Sequence, residues 1–324
     1  MITSVLLFAV GLVLLIKGGD WFVDGATGIA KRFNLPDIVV GATVVSIGTT
    51  LPEVMVSTTG ALAGSGAMAY GNAIGSIICN TALIAAISIT CNPGPVNVKS
   101  MKTPAIFFFG AAAMYCVAAY GLGTFPRWLG FIMLAVFAVY MVLTVRNGLK
   151  NPDTSVAEEE DESKPKKLWQ ELLLLVVGAA VIAVGADLLV EHGQIIAIGL
   201  GVPETVVALL FVALGTSLPE LVTTITSLKK GRASLGVGNV IGANVFNLVL
   251  VSGVAVSLAP FDVPVENELL NTGLNLSLVF DIPVMLLVMS LMIFPALLSK
   301  KLGRWQGIAL LGIYAAFVVC QFVL

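Results

Sequence analysis

A short polar segment interrupts two long apolar stretches of this chain, at residues 48–53 (GTTLPE) and again at residues 215–220 (GTSLPE). Proline breaks a helix because it lacks an N–H and clashes with the carbonyl four residues earlier. Inside a bilayer the freed carbonyl must find a partner within the protein. The adjacent glutamate costs about 2.5–3.5 kcal/mol there unless something compensates its charge. Carboxylates, hydroxyls and loosened carbonyls are hard oxygen ligands for Na⁺ or Ca²⁺, so we expect a cation site that is built twice.

The composition is that of an all-α polytopic membrane protein. Of the 324 residues 58% are hydrophobic and 11% are charged, and the mean hydropathy is +1.01. A soluble domain carries about 25% charged residues. No basic patch indicates a nucleic-acid partner. The four cysteines have no metal-ligand spacing, and we predict that they are small buried residues.

Apolar stretches predict about ten membrane-spanning helices. We place them at residues 2–30, 36–63, 68–91, 104–121, 128–146, 168–190, 204–228, 234–258, 272–298 and 305–323. Between the fifth and sixth lies an acidic segment, residues 148–167, which contains the run EEEDE at 158–162. We interpret this segment as a solvated linker between two halves, and a regulatory cation sensor is the alternative.

The two halves are related by an internal repeat. Five residue pairs share a separation of 167 positions (187 − 20 = 167): Asp20 and Asp187, Pro36 and Pro203, Glu53 and Glu220, Gly71 and Gly238, and Asn80 and Asn247. We therefore predict a first five-helix repeat at residues 1–147, with its motif at 41–81, and a second at 168–324, with its motif at 208–248. Because each repeat holds an odd number of spans, the second copy must be inverted, with discontinuous helices at the midplane.

The distribution of basic residues agrees with an inverted arrangement. They follow the odd-numbered spans: Lys31, Arg32, Lys99, Lys102, Lys229, Lys230, Arg232, Lys300, Lys301 and Arg304, with others between 146 and 167. The opposite side carries only Arg127. The positive-inside rule then places both termini outside the cell membrane and the linker in the cytoplasm. Inverted halves with interrupted helices indicate a secondary transporter.

A polar stripe follows each break. Asn72, Ser76 and Asn80 are four residues apart and share one helix face; their counterparts are Asn239, Ala243 and Asn247. We interpret Asn72 and Asn239 as residues that join neighbouring helices. Asn80 and Asn247 lie deeper, at the level of the glutamates, and we interpret them as cation ligands.

These motifs resemble a known family. GTTLPE followed by GNAIGSIICN, and GTSLPE followed by GNVIGANVFN, are similar to the two α-repeats of the sodium/calcium exchanger superfamily. The resemblance implies antiport of Ca²⁺ against Na⁺ by alternating access. Ion binding itself should need no other cofactor, and a monomer is sufficient for it, while the sequence leaves the oligomeric state open. It assigns central coordination to Glu53 and Glu220, with backbone carbonyls and hydroxyls from Thr49 and Thr216. The flanking Na⁺ sites would take the hydroxyls of Thr50, Ser217 and Ser76 and the carbonyls of Ser46 and Ala213, and Asn80 and Asn247 would complete the middle of the site.

Two positions depart from the pattern of the family. Many sodium/calcium exchangers carry an aspartate at the position of Asn247 and a serine at the position of Ala243. Two fixed carboxylates neutralise one Ca²⁺ or two monovalent cations, so we hypothesise nearly electroneutral exchange. H⁺-coupled or K⁺-involving exchange is the alternative, since a buried carboxyl group readily takes a proton.

Two other function classes are less well supported. A passive cation channel also uses oxygen-rich helix breaks, but channels more often place their symmetry axis along the membrane normal. An enzyme is not expected, because no nucleophile, phosphate loop or metal-hydrolase spacing accompanies Glu53 and Glu220.

One further pair of charges repeats, Asp20 with Asp24 and Asp187 with Glu191. An ion-access role and a headgroup-level anchoring role both fit these residues, and we favour anchoring.

Overall fold

The computed structural model describes residues 2–150, 167–200, 215–264 and 275–323. Its helices are α1 (Ile2–Phe33), α2 (Asp37–Thr49), α3 (Leu51–Leu62), α4 (Gly66–Cys91), α5 (Val98–Leu122), α6 (Arg127–Lys150), α7 (Leu168–Gly199), α8 (Leu218–Lys229), α9 (Ala233–Leu258), α10 (Ser277–Ser299) and α11 (Arg304–Val323). Its strands are β1 (Gly94–Pro95), β2 (Thr124–Phe125), β3 (Phe261–Asp262) and β4 (Lys301–Leu302). Most of the predicted linker 148–167 lies outside the described residues.

Long apolar helices confirm the predicted all-α membrane fold. Within the described ranges, seven helices are long and apolar enough to cross a membrane, and the bent pair α2 and α3 makes up to eight spans. A helix overlaps each of the ten predicted spans. α11 has 20 residues, and at 1.5 Å per residue it reaches about 30 Å, the thickness of the hydrocarbon core.

α4 and α9 form the centre of the bundle, and α1 and α7 lie at its edge. Most residues of the central helices are buried within the protein, whereas most residues of the apolar edge helices are not. Glycine allows α2 to approach α9 at backbone distance. A Cβ atom on Gly41 would meet the carbonyl of Leu235, and one on Gly238 would meet that of Ile38. The first broken helix is therefore held against the centre of the bundle.

The two edge helices pack on each other through glycines at corresponding positions. Gly11 and Gly18 of α1 match Gly178 and Gly185 of α7 at the repeat separation. A Cβ atom on Gly11 would lie 2.9 Å from the carbonyl oxygen of Gly185, and one on Gly18 would lie 3.1 Å from that of Gly178. Residue numbers rise along α1 as they fall along α7, so the two helices run antiparallel. Small residues allow membrane helices this close approach.

Two short strand pairs join the loops of the two halves. β1 pairs with β4 through Gly94 with Leu302, and β2 pairs with β3 through Thr124 with Asp262. By their order in the predicted repeats, β1 corresponds to β3 and β2 to β4. Exchanging the halves therefore converts one strand pair into the other, as a two-fold relation between the halves requires.

Candidate cation-binding site

Both predicted breaks begin a helix with a proline and a glutamate in its first turn. α2 ends at Thr49 and α3 starts at Leu51, with a bend of 46° between them. Pro52 cannot donate to the carbonyl of Gly48, so the chain starts a new helix instead of continuing the old one. α8 starts in the same way at Leu218, with Pro219 and Glu220 in its first turn. Each glutamate therefore lies in the first turn of a short helix, at the positive end of the helix dipole.

The two glutamates are buried and are close enough to interact electrostatically. Glu53 and Glu220 are both 0% exposed, and they are close enough that negative charges on both would repel each other. The hydroxyl of Thr50 donates to Oε1 of Glu220 at 3.5 Å. Three of the four carboxylate oxygens, both of Glu53 and Oε2 of Glu220, have no hydrogen-bond partner within the described part of the chain. Buried carboxylates without partners are costly, so this arrangement favours a bound cation.

Asn80 and Asn247 also bring unpartnered polar groups into the bundle centre. Each begins a π-helical turn inside a central helix, Asn80–Ala85 in α4 and Asn247–Val251 in α9. Both side chains are fully buried, and their amide groups lack hydrogen-bond partners among the described residues. π-Turns inside helices occur frequently at functional sites. An amide oxygen presented in this way is a suitable hard-cation ligand.

The predicted hydroxyl ligands differ in what already engages them. Ser217 Oγ is buried without a hydrogen-bond partner in the described structure. Ser76 Oγ lies 3.5 Å from Oδ1 of Asn72. Ser46 Oγ donates to the carbonyl oxygen of Gly41 at 2.8 Å, and the Ser46 carbonyl accepts the N–H of Thr50 at 3.0 Å. The remaining predicted ligand, Ala213, lies outside the described residues.

Asn72 and Asn239 join helices, as predicted, and they also reach the breaks. The hydroxyl of Thr49 donates to Oδ1 of Asn239 at 3.1 Å. At the matching positions, the hydroxyl of Thr216 donates to Oδ1 of Asn72 at 3.4 Å. Each asparagine therefore contacts the break of the opposite half.

Further buried hydroxyls line α3 and α8, and the sequence analysis missed them. Ser57, Thr223, Thr224 and Ser227 are almost completely buried. Ser57 accepts a hydrogen bond from Nδ2 of Asn72 at 2.8 Å. These residues lie three, four or seven positions after Glu53 or Glu220 and share their helix face, so helical spacing alone could have identified them.

The repeated acidic pair of α1 forms an ion pair between elements. Lys230 Nζ lies 2.7 Å from Oδ1 of Asp24 and 3.7 Å from Oδ1 of Asp20. Lys230 directly follows α8, and the corresponding residue of the first half is Ala63. The pair therefore links an edge helix of the first half to the end of a site helix of the second half.

The chemistry of the site is that of oxygen ligands. The described residues contain no group of three or more His, Cys, Asp or Glu side chains that could hold a metal ion. Two carboxylates supported by amide and hydroxyl groups suit Na⁺ or Ca²⁺.

The cysteines were predicted to be buried. Cys79 is buried, but Cys91 is exposed, and the prediction is wrong there. Cys91 is the last residue of α4, where the chain leaves the bundle.

Comparisons with known proteins agree with this geometry. A family model described as sodium/calcium exchanger protein matches residues 3–146 and 171–323. An uncharacterized membrane protein of Methanocaldococcus jannaschii is 33% identical, over 95% of this chain and 94% of its own length. The sodium/calcium exchanger MaX1 of Methanosarcina acetivorans is 28% identical over 98% of both chains. The putative antiporter CaxA of Alkalimonas amylolytica is 33% identical over 100% of this chain and 99% of its own.

The fold also matches a solved transporter structure. The sodium-calcium exchanger NCX_Mj, soaked with 10 mM Na⁺ and zero Ca²⁺, superposes with a TM-score of 0.79 at 31% sequence identity. The match covers 98% of each chain. The likeness therefore extends over the whole helical bundle.

Proposed function

The chain belongs to the sodium/calcium exchanger family, and from this premise we propose that it is a secondary active antiporter that exchanges Ca²⁺ for Na⁺ by alternating access. The proposal rests on one observation above all. Two helix breaks carry Glu53 and Glu220, both fully buried, and the hydroxyl of Thr50 at the first break reaches Oε1 of Glu220 at the second. Two such carboxylates are stable in the low-dielectric centre of a bundle only when a cation compensates them.

Repulsion between the glutamates provides a reason for coupling. A bound cation neutralises Glu53 and Glu220. The protein can then enclose the occupied site while the opening changes from one side of the membrane to the other. An empty site keeps two adjacent negative charges, and their repulsion disfavours the fully enclosed state. Ca²⁺ and its counter-ions then compete for the same carboxylates, which is the requirement for exchange without leak.

An inverted ten-helix arrangement gives the site its two faces. Antiparallel packing of α1 on α7 through Gly11, Gly18, Gly178 and Gly185 supports inversion of the second half. The exchange of the two strand pairs under the same two-fold relation supports it independently. Because α1 and α7 lie at the edge of the bundle, we propose that they move as a pair past the fixed site.

The ligand set proposed for the ions is the one predicted from the sequence. Glu53, Glu220, Asn80 and Asn247 present buried groups without hydrogen-bond partners among the described residues. This supports a central cation held by these four side chains. Thr49, Thr216, Thr50, Ser217, Ser76, Ser46 and Ala213 complete the proposed central and flanking positions.

The proposed orientation follows from the basic residues. We place both termini outside the cytoplasm in the cell membrane and the segment 148–167 inside, between the repeats 1–147 and 168–324. The ion pair of Lys230 with Asp24 then lies on the cytoplasmic side.

Na⁺ is the proposed counter-ion, and H⁺ is the second candidate. Asn247 and Ala243 remove one carboxylate and one hydroxyl that many relatives of the family carry, which weakens a Na⁺ site. A related chain is named only as a putative antiporter, without a stated ion. Protonation of Glu53 or Glu220 would compensate one buried charge without Na⁺.

Reconstitution into sealed liposomes tests the proposal. Uptake of radiolabelled Ca²⁺ is measured with an outward gradient of Na⁺, K⁺ or H⁺, each imposed separately, and with no gradient as the control. We expect Ca²⁺ uptake only when the outward gradient is a gradient of Na⁺. Uptake driven only by H⁺ would favour the second candidate, and equal uptake without any gradient would indicate a channel.

A further inference from the structure

We propose that Asn239 and Asn72 are positioning residues that orient the threonine hydroxyls of the opposite break toward the cation. This inference rests on the proposed function of the site and deepens it. Neither asparagine is among the assigned cation ligands. Each acts through a threonine that is.

The contacts are crossed between the two halves. Asn239 lies in α9 of the second half, and its Oδ1 accepts the hydroxyl of Thr49 from the first half at 3.1 Å. Asn72 lies in α4 of the first half, and its Oδ1 accepts the hydroxyl of Thr216 from the second half at 3.4 Å. Asn239 and Thr49 are both buried, with 0% and 1% exposure. The same contact therefore occurs twice, at positions related by the repeat.

The proton count of a threonine hydroxyl explains what such a contact does. The group has one hydrogen and two lone pairs. When the hydrogen is donated to an asparagine oxygen, the lone pairs must point away from that asparagine. The hydroxyl of Thr49 can then only accept or coordinate, and it is prepared to bind a cation before the ion arrives. Fixed ligands lose less freedom on binding than free rotors do.

Asn72 holds both breaks at once. Its Nδ2 donates to the carbonyl oxygen of Glu53 at 3.3 Å and to Oγ of Ser57 at 2.8 Å. Its Oδ1 accepts from Thr216 on the other side. One side chain thus links the first turn of α3 to the residue two positions before α8.

Double-mutant cycles on the purified full chain test the inference. The variants are Asn239→Leu and Asn72→Leu, which keep the number and branching of the side-chain heavy atoms, and Thr49→Val and Thr216→Val, which replace the hydroxyl with a methyl group. Apparent Ca²⁺ affinity is measured as Ca²⁺-dependent thermal stabilisation in detergent, a readout that does not require transport. We expect each asparagine variant to weaken the affinity about fivefold to tenfold.

The crossed pattern is the decisive readout. In the Thr49→Val background, Asn239→Leu should cause a smaller further loss of affinity than in the wild type, because the Thr49 hydroxyl is already gone and only the contact of Oδ1 with Ser46 Oγ at 3.2 Å remains. Asn72→Leu in the same background serves as the matched control and should keep its full effect. In the Thr216→Val background, the loss caused by Asn72→Leu should shrink to the part that comes from its bonds to Glu53 and Ser57, whereas Asn239→Leu should keep its full effect. Purely structural asparagines would lower stability without Ca²⁺ and show no crossed coupling.

The outcomes separate the two levels of the account. Full additivity in both crossed pairs overturns the positioning role. If Glu53→Gln abolishes Ca²⁺ stabilisation in the same experiment, the assignment of the cation site still stands. Absence of any Ca²⁺ stabilisation of the wild-type protein contradicts the proposed function and the inference with it. Crossed coupling together with unchanged uncrossed pairs supports both.

Discussion

Nε of Arg32 lies 2.9 Å from Oε2 of Glu171, so that an ion pair joins the last turn of α1 to the first turn of α7. The Glu171 side chain is only 6% exposed, whereas that of Arg32 is 34% exposed. Close glycine packing holds the same two helices together further along their length. The ion pair and the glycines together make α1 and α7 one antiparallel unit at the edge of the bundle.

Removing the arginine alone should destabilise this unit. We expect Arg32→Met to lower the free energy of unfolding by about 1–2 kcal/mol, because it leaves a buried carboxylate without its guanidinium. The double variant Arg32→Met/Glu171→Leu should cost less than the single one, since no unpaired charge remains. Denaturant titration in detergent measures both. Equal losses for the single and double variants would contradict this view of the pair.

A methyl group on the glycine face of α7 should separate the two helices. In Gly178→Ala the added Cβ would lie 2.5 Å from the backbone nitrogen of Phe22. Overpacking of this kind typically costs about 1–3 kcal/mol. Gly110→Ala is the matched control, because nothing described lies within 4 Å of a Cβ atom there. Thermal unfolding in detergent should shift for Gly178→Ala and hardly change for the control; equal midpoints would contradict the packing argument.

Loss of the lysine beside α1 should speed transport. Lys230 holds Asp24 at 2.7 Å, and this pair must break if α1 moves relative to α8. A partly exposed ion pair is worth about 0.2–1 kcal/mol, so Lys230→Met should raise the turnover rate about twofold to fivefold at saturating Ca²⁺. The neighbouring Lys229→Met is the control and should leave turnover unchanged. A turnover that falls in Lys230→Met would show that the pair does not restrain α1.

A third carboxylate should make exchange depend on membrane potential. The described residues place two carboxylates at the proposed site, Glu53 and Glu220, so we expect one Ca²⁺ to exchange for two monovalent cations without net movement of charge. Asn247→Asp adds a negative charge where Asn247 is fully buried, so an additional cation should accompany each cycle. Ca²⁺ uptake at imposed positive and negative potentials should differ little for the wild type and clearly for the variant. Asn247→Ala, which adds no charge, controls for loss of the amide.

Much of the candidate site could be predicted from the sequence because polar residues are costly in an apolar stretch. Pro52 with Glu53, and Pro219 with Glu220, have few roles inside a membrane other than to break a helix and bind a charge. Helical spacing then placed Asn80 on the face of Asn72 and Ser76. These arguments need only neighbours along one helix, which a sequence supplies.

The rest depends on which helices meet, and the sequence does not specify that. The separation of 167 positions relates Thr49 to Thr216 and Asn72 to Asn239, yet the hydrogen bonds join Thr49 to Asn239 and Thr216 to Asn72. The sequence did not determine the partner of Asp24 either. Several lysines follow the odd-numbered spans, and only the packing of the helices brings Lys230 to this aspartate. The π-helical turns at Asn80 and Asn247 have no signature in residue type.

Equilibrium binding of radiolabelled Ca²⁺ to purified protein tests the central claim most directly, that Glu53 and Glu220 together hold the transported cation. The variants Glu53→Gln and Glu220→Gln are compared with Glu171→Gln, a substitution at another buried glutamate that pairs with Arg32 instead of facing the site. The account predicts that binding is lost in Glu53→Gln and in Glu220→Gln and retained in Glu171→Gln. Wild-type affinity in either of the first two variants, at unchanged folded yield, would contradict it.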